Sequence, residues 1–137
     1  MKPFGYELIV DLYFCQADID DITLVYDFLD KAVDVIGVTK QAPPYVFHSP
    51  TEIIRDGKII DCSDKAGISA WVPLVESAIS LHSLVPKAYT TINFFTCSDM
   101  TEQMIKALIA FSLETFKPQK HHSTVLLRGE DYFKDEC

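Results

Sequence analysis

Residues 68–97 read "ISAWVPLVESAISLHSLVPKAYTTINFFTC". β-branched and aromatic residues dominate, and polar positions are spaced as in strands rather than along a helical face. Strands are predicted at about 68–75, 78–84 and 88–96. Only short turns separate them, and a parallel pair would need a crossover of about a dozen residues or more. The three therefore pair antiparallel, and this decides the fold class.

The rest of the chain fits around this meander. Residues 6–14 alternate, with Tyr6, Leu8, Val10, Leu12 and Phe14 on one face and Glu7, Ile9, Asp11 and Tyr13 on the other, as in a half-buried strand. Ile22, Val25, Tyr26, Leu29, Ala32, Val33 and Ile36 recur at helical spacing. Asp18, Asp20 and Asp21 stand at the start of that helix and Gly37 ends it. A short strand follows at Tyr45–His48. "SPTEIIRDGKIIDCSDKAG" at 49–67 is turn-rich, and Asp56-Gly57 marks a hairpin between Ile53-Ile54 and Ile59-Ile60. Asp99-Met100-Thr101-Glu102 has the form of a capping box. The helix it opens runs to about Phe116, before Pro118. A last strand is expected at 123–128, and the charged stretch 129–137 reads as a loose tail. The expected whole is a single α+β domain over 1–137: a two-layer sandwich of a mainly antiparallel sheet with two helices on one face.

Bulk properties exclude several functions. A chain of 137 residues with 48% hydrophobic content supports one real core. Net charge is −8, so no basic face exists for a nucleic-acid backbone. No apolar run approaches a membrane span, and the alternating opening reads as a strand rather than a signal segment. Cys15, Cys62, Cys97 and Cys137 are scattered, with no zinc spacing, and read as reduced thiols of a cytoplasmic protein. Cys15, Cys62 and Cys137 are expected to be small buried residues. His121 and His122 are adjacent on a strand and so face opposite ways, unable to share a metal; no metal site is expected. The sequence contains no GxGxxG, P-loop, HExxH or GxSxG pattern.

Polar residues inside the meander carry the chemistry. Glu76-Ser77 interrupts two apolar runs, His82 follows five residues later, and Ser69 and Cys97 lie on the flanking strands. Taken alone, Ser77 suits a turn and His82 a strand face. Taken together, two hydroxyls, an imidazole and a thiol can move protons and stabilise an oxyanion. The spacing suggests that Ser77 and His82 face one shared pocket.

These residues resemble a known pattern. Gly67-x-Ser69, Glu76-Ser77, His82 and Phe95-Thr96-Cys97, with the opening "GYELIVDLYFC" at 5–15, are similar in order and spacing to the small prokaryotic S-adenosylmethionine decarboxylase family. The resemblance runs from about residue 5 to 128, with 49–64 as an insertion. It implies self-cleavage between Glu76 and Ser77, with Ser77 becoming a pyruvoyl group, a cofactor made from the chain itself. Such a ketone takes a substrate amine as a Schiff base and draws in the electrons left by carbon dioxide. The resemblance gives Ser69 and His82 roles in processing, makes Cys97 the proton donor to the decarboxylated carbon, and implies a homodimer in spermidine synthesis.

One departure concerns the substrate. The family carries a ribose-binding Glu shortly after the His; here Pro86 or Lys87 takes that position, and neither offers an acceptor. Phe47 or Trp71 is a candidate to replace the aromatic that stacks on adenine. Ornithine or arginine is the alternative substrate, with Glu52, Asp56, Asp61 and Asp64 as candidates to meet its distal cation. A third reading is an unprocessed binding subunit, against which the retained Ser69, Ser77, His82 and Cys97 stand.

Overall fold

The computed structural model describes residues 3–132. It contains strands β1 (Gly5–Tyr13), β2 (Tyr45–His48), β3 (Glu52–Arg55), β4 (Lys58–Asp61), β5 (Ile68–Leu74), β6 (Ser77–Leu84), β7 (Tyr89–Thr96) and β8 (Lys120–Arg128), and helices α1 (Ile22–Ile36) and α2 (Glu102–Phe116). Six strands form one sheet in the order β2-β5-β6-β7-β1-β8. Every neighbouring pair is antiparallel. β3 and β4 make a separate hairpin.

Alternation sorts the sheet into two faces. Leu8, Val10 and Leu12 of β1, Ile68, Ala70, Val72 and Leu74 of β5, Ile79 and Leu81 of β6, and Ile92 and Phe94 of β7 are all buried on one side. Both helices pack there. α1 contributes Val25, Phe28, Leu29, Ala32, Val33 and Ile36, an unbroken stripe at helical spacing. Phe28 stacks on Phe111 of α2 at 4.9 Å and meets Phe116 and Phe94 edge-on. That aromatic cluster joins the two helices to the sheet. The expected two-layer arrangement, with both helices on one face, is what the chain adopts.

Local signals explain most boundaries. The Asp21 carboxylate accepts the N–H groups of Thr23 and Leu24 and caps α1. Gly37 closes the helix with φ 78°, its N–H donating to the Val33 carbonyl. Asp56 and Gly57 both have positive φ, as the two-residue hairpin turn requires. Two expectations need correction. The cap of α2 is Thr101, whose hydroxyl accepts the Met104 N–H at 3.1 Å, two residues after the expected Asp99. Thr101 competes successfully because it stands immediately before the first helical residue. β8 begins at Lys120 rather than 123, because β1 continues to Tyr13 and its partner positions run to Lys120.

Of the expected tail, only 129–132 lies within the described residues; there Tyr132 packs near Phe4. Cys15 and Cys62 are half-buried rather than buried, and burial pushes the Cys15 thiol up. Cys137 lies outside the described residues.

One polar clamp holds the start of β5. The Ser83 hydroxyl is buried, accepts the Ile68 N–H at 2.9 Å and donates to the Ile19 carbonyl at 2.7 Å. It thereby ties β6, β5 and the entrance to α1 together. Gly67 makes this approach possible, since a Cβ there would lie 1.8 Å from the Ser83 carbonyl oxygen. The clash is with backbone, which cannot rotate aside. Gly67→Ala is therefore expected to cost at least about 3 kcal/mol, read as a drop in the urea midpoint of a thermally folded sample; a loss under about 1 kcal/mol would contradict the close approach.

Candidate active site

The β5–β6 ladder ends at the Leu74–Ser77 pair, leaving Val75 and Glu76 as a two-residue turn. Glu76 has φ 56°, a conformation that costs a non-glycine residue about 1–2 kcal/mol. The turn is anchored on both sides. Val75 N–H donates to the Thr39 carbonyl at 2.8 Å, and Cys97 N–H donates to the Glu76 carbonyl at 3.2 Å. The second bond falls on the peptide that joins Glu76 to Ser77. An N–H aimed at a carbonyl oxygen polarises it and stabilises the oxyanion formed when a nucleophile adds.

The Ser77 hydroxyl is on the residue that follows that carbonyl. Ser77 pairs with Thr96 across β6 and β7, and its hydroxyl donates to the Thr96 hydroxyl oxygen at 3.0 Å. That oxygen also accepts the Ser98 N–H at 3.0 Å. Thr96 and Cys97 are buried. Hydroxyl, hydrogen-bonded carbonyl and the Cys97 segment thus meet at one end of the sheet, the groups an N-to-O acyl shift uses.

Ser69 and His82 form a second constellation. They are direct cross-strand partners on β5 and β6. They lie on the face that carries no helices, and the Ser69 hydroxyl is 2.9 Å from that of Ser49. Two grooves meet at His82. One, of about 580 Å³, is lined by Tyr45, Phe47, Ser69, Trp71 and Ser80. Tyr45 and Trp71 stack there at 5.8 Å. The other, of about 400 Å³, runs under the β3–β4 hairpin past Ile53, Cys62, Lys65, Tyr89 and Thr91.

Ser77 and His82 do not share a pocket within one chain. The ladder from Leu74–Ser77 to Ser69–His82 has no bulge, so residues an odd number apart point to opposite faces. Ser77 shares its side with Ile79 and Leu81; His82 shares its side with Ala78 and Ser80. Five residues of strand also separate them by about 16 Å. The expected single cluster is instead divided: Ser69 pairs with His82, while Ser77 pairs with Thr96, next to Cys97, toward the other end of β6. The odd spacing alone carried this signal.

The remaining candidates separate cleanly. Phe47 and Trp71 are exposed in the larger groove, as a stacking surface needs, and Tyr45 joins them unannounced by any motif. Glu52, Asp56, Asp61 and Asp64 are exposed, and none lines either groove. The Asp61 carboxyl is held below its usual range by the Ser63 N–H it accepts. Asp11, on the helix-free face, already accepts from the hydroxyls of Tyr89 at 2.5 Å and Thr91 at 2.8 Å. Burial, with that bond to Asp11 behind it, pushes the Tyr89 phenol up. Pro86 and Lys87 sit in an exposed 3₁₀ turn. His121 and His122 are exposed on β8, and His122 meets Tyr13 edge-on. No group of three or more metal-ligating side chains occurs among the described residues.

Comparison with known proteins identifies the family. Residues 6–129 match the family model described as S-adenosylmethionine decarboxylase. The S-adenosylmethionine decarboxylase proenzyme of Thermomicrobium roseum is 28% identical over 129 residues, covering 94% of this chain and 97% of that one. The proenzyme of Archaeoglobus fulgidus is 28% identical over 126 residues, covering 91% and 97%. The fold matches the crystal structure of the adenosylmethionine decarboxylase from Aquifex aeolicus with a TM-score of 0.73 at 21% identity, over 100% of this chain and 98% of that one. A family match spanning nearly the whole chain, on a fold that holds a strained Glu76-Ser77 peptide against Cys97, places this protein in the S-adenosylmethionine decarboxylase family.

Proposed function

We propose that the chain cleaves itself between Glu76 and Ser77 and then, as a homodimer, decarboxylates S-adenosylmethionine for polyamine synthesis in the cytoplasm. The observation that carries this is the strained peptide at Glu76, its carbonyl held by the Cys97 N–H and flanked by the Ser77 hydroxyl. In the first step Ser77 Oγ bonds to the Glu76 carbonyl carbon. Its proton passes to the amide nitrogen, and the C–N bond breaks to leave an ester. Loss of the Ser77 Cα proton then expels the Glu76 carboxylate and leaves dehydroalanine. Water adds, ammonia departs, and a pyruvoyl group heads the chain that begins at 77. Strain at Glu76 is relieved as the turn is cut, so ground-state energy stored by the fold favours the shift.

The residues present suit that group. Ser77 supplies all of its carbon, and Cys97 lies at the same end of the sheet. When formed, the ketone supplies an electron sink for a bound substrate amine. Cys97 holds a proton for the carbon that loses carbon dioxide. Ser69 and His82 hold and pass a proton during cleavage.

Two copies reconcile the split site. Ser69 and His82 lie about 16 Å from Ser77 along the strand, so a second chain is the source of the pair, brought to the sheet end where the Glu76-Ser77 peptide lies in the turn. The helix-free face, with Tyr45, Phe47, Trp71 and Leu126 exposed, is the surface available for it. The aromatic groove beside His82 favours a substrate with a flat ring, and neither groove offers a carboxylate to the distal cation of ornithine or arginine.

Four measurements test this reading. Intact mass spectrometry under denaturing conditions is expected to give fragments of residues 1–76 and a pyruvoyl-headed 77–137 from the wild type, and one whole chain from Ser77→Ala. A wild-type chain still whole after days would remove the self-cleavage. Glu76→Gly relaxes the turn by about 1–2 kcal/mol, so cleavage should slow about tenfold; unchanged cleavage would show that the strain is idle. Co-expressing Ser77→Ala with His82→Ala in equal amounts should restore about a quarter of wild-type sites, since half the dimers are hybrids with one intact site each. No restoration would mean that each chain completes its own site. In the cleaved enzyme, Trp71→Ala should raise KM for S-adenosylmethionine about tenfold or more, the loss of one base-stacking surface.

A further inference from the structure

We propose that Ser49 is a positioning residue for self-cleavage: its hydroxyl donates to Ser69 and directs the Ser69 proton toward the reacting groups. This rests on the reading that Ser69 and His82 assist cleavage.

The placement of Ser49 is set by three features. Its N–H donates to the Gly67 carbonyl at 2.8 Å, which extends the β2–β5 contact beyond the last ladder pair. Pro50 follows, and a residue before proline is held in extended backbone. Ser49 therefore keeps the alternation of β2 and lies on the same face as Phe47, which is the direct partner of Ser69. The two hydroxyls meet diagonally across the strands at 2.9 Å, and both are half-buried. Ser69 faces the aromatic groove and Ser49 the hairpin-walled one, with His82 shared by both.

The proton count gives the pair its sense. Each hydroxyl has one proton and two lone pairs. A Ser69 that donates to Ser49 has no proton left for His82 or the scissile peptide. A Ser69 that accepts from Ser49 keeps its own proton and loses rotational freedom, because one lone pair is already committed. Without Ser49 the Ser69 hydroxyl samples its staggered positions and donates correctly only part of the time. Ser49 also opens the 49–64 excursion, so it couples that segment to the chemistry.

The test follows cleavage by denaturing mass spectrometry in full-length protein. Ser49→Ala is expected to slow cleavage about five- to tenfold with its thermal midpoint within about 2 °C of wild type, and Ser49→Thr to restore the rate to within about twofold. In a Ser69→Ala background, adding Ser49→Ala should change the rate by less than about twofold, because a residue that acts through Ser69 has nothing left to position. Wild-type cleavage by Ser49→Ala, failure of Thr to restore the rate, or a further slowing in the Ser69→Ala background would each overturn the assignment. If Ser69→Ala does not cleave at all, the Thr rescue decides. If Ser69→Ala cleaves like wild type, the role given to Ser69 fails first and Ser49 with it.

Discussion

The hydrogen bond from Cys97 N–H to the Glu76 carbonyl is the constraint on which the site depends. It exists because β5, β6 and β7 run antiparallel without a bulge, so the turn after Leu74 falls opposite the residue that follows Thr96. Shift either register by one residue and every side chain changes face while the carbonyl loses its donor. The fold protects against such a slip. Gly67 lets β5 approach the Ser83 backbone, and the Ser83 hydroxyl bridges to Ile68 and Ile19. Buried on every side, that bridge tolerates neither added bulk nor a lost partner.

The same registers separate function from stability. One face of the sheet is a continuous apolar core under two helices, joined by the Phe28, Phe94, Phe111 and Phe116 cluster. The other face is open and holds Ser69, His82 and the aromatic groove. Chemistry at the sheet end can therefore be strained locally, at Glu76, because the core that supports it lies on the opposite side and is closely packed.

The homodimer proposed above rests on the same division: the helix-free sheet face carries exposed tryptophan, tyrosine and phenylalanine, and Ser69 and His82 lie on it, away from Ser77. Glu52, Asp56, Asp61 and Asp64 are exposed, and this segment contributes Ile53 and Cys62, not these carboxylates, to the groove.

Much of the architecture was legible in the residues themselves. Alternation in 6–14 and 68–97, helical spacing from Ile22 to Ile36, Gly37 and Asp56-Gly57 all encode local geometry, and local geometry depends on near neighbours. The order and spacing of Gly67-x-Ser69, Glu76-Ser77, His82 and Phe95-Thr96-Cys97 likewise marked the family. What the sequence left open depends on contacts between distant strands. Only the assembled sheet determined that the Ser77 hydroxyl donates a hydrogen bond to Thr96, that Cys97 N–H reaches Glu76, that Ser49 meets Ser69, and that Thr101 rather than Asp99 caps α2. It also set Ser69 and His82 together on the helix-free face, apart from Ser77. Residue identity sets which bonds are available, but register decides which donors and acceptors come within 3 Å, and register is a property of the whole sheet.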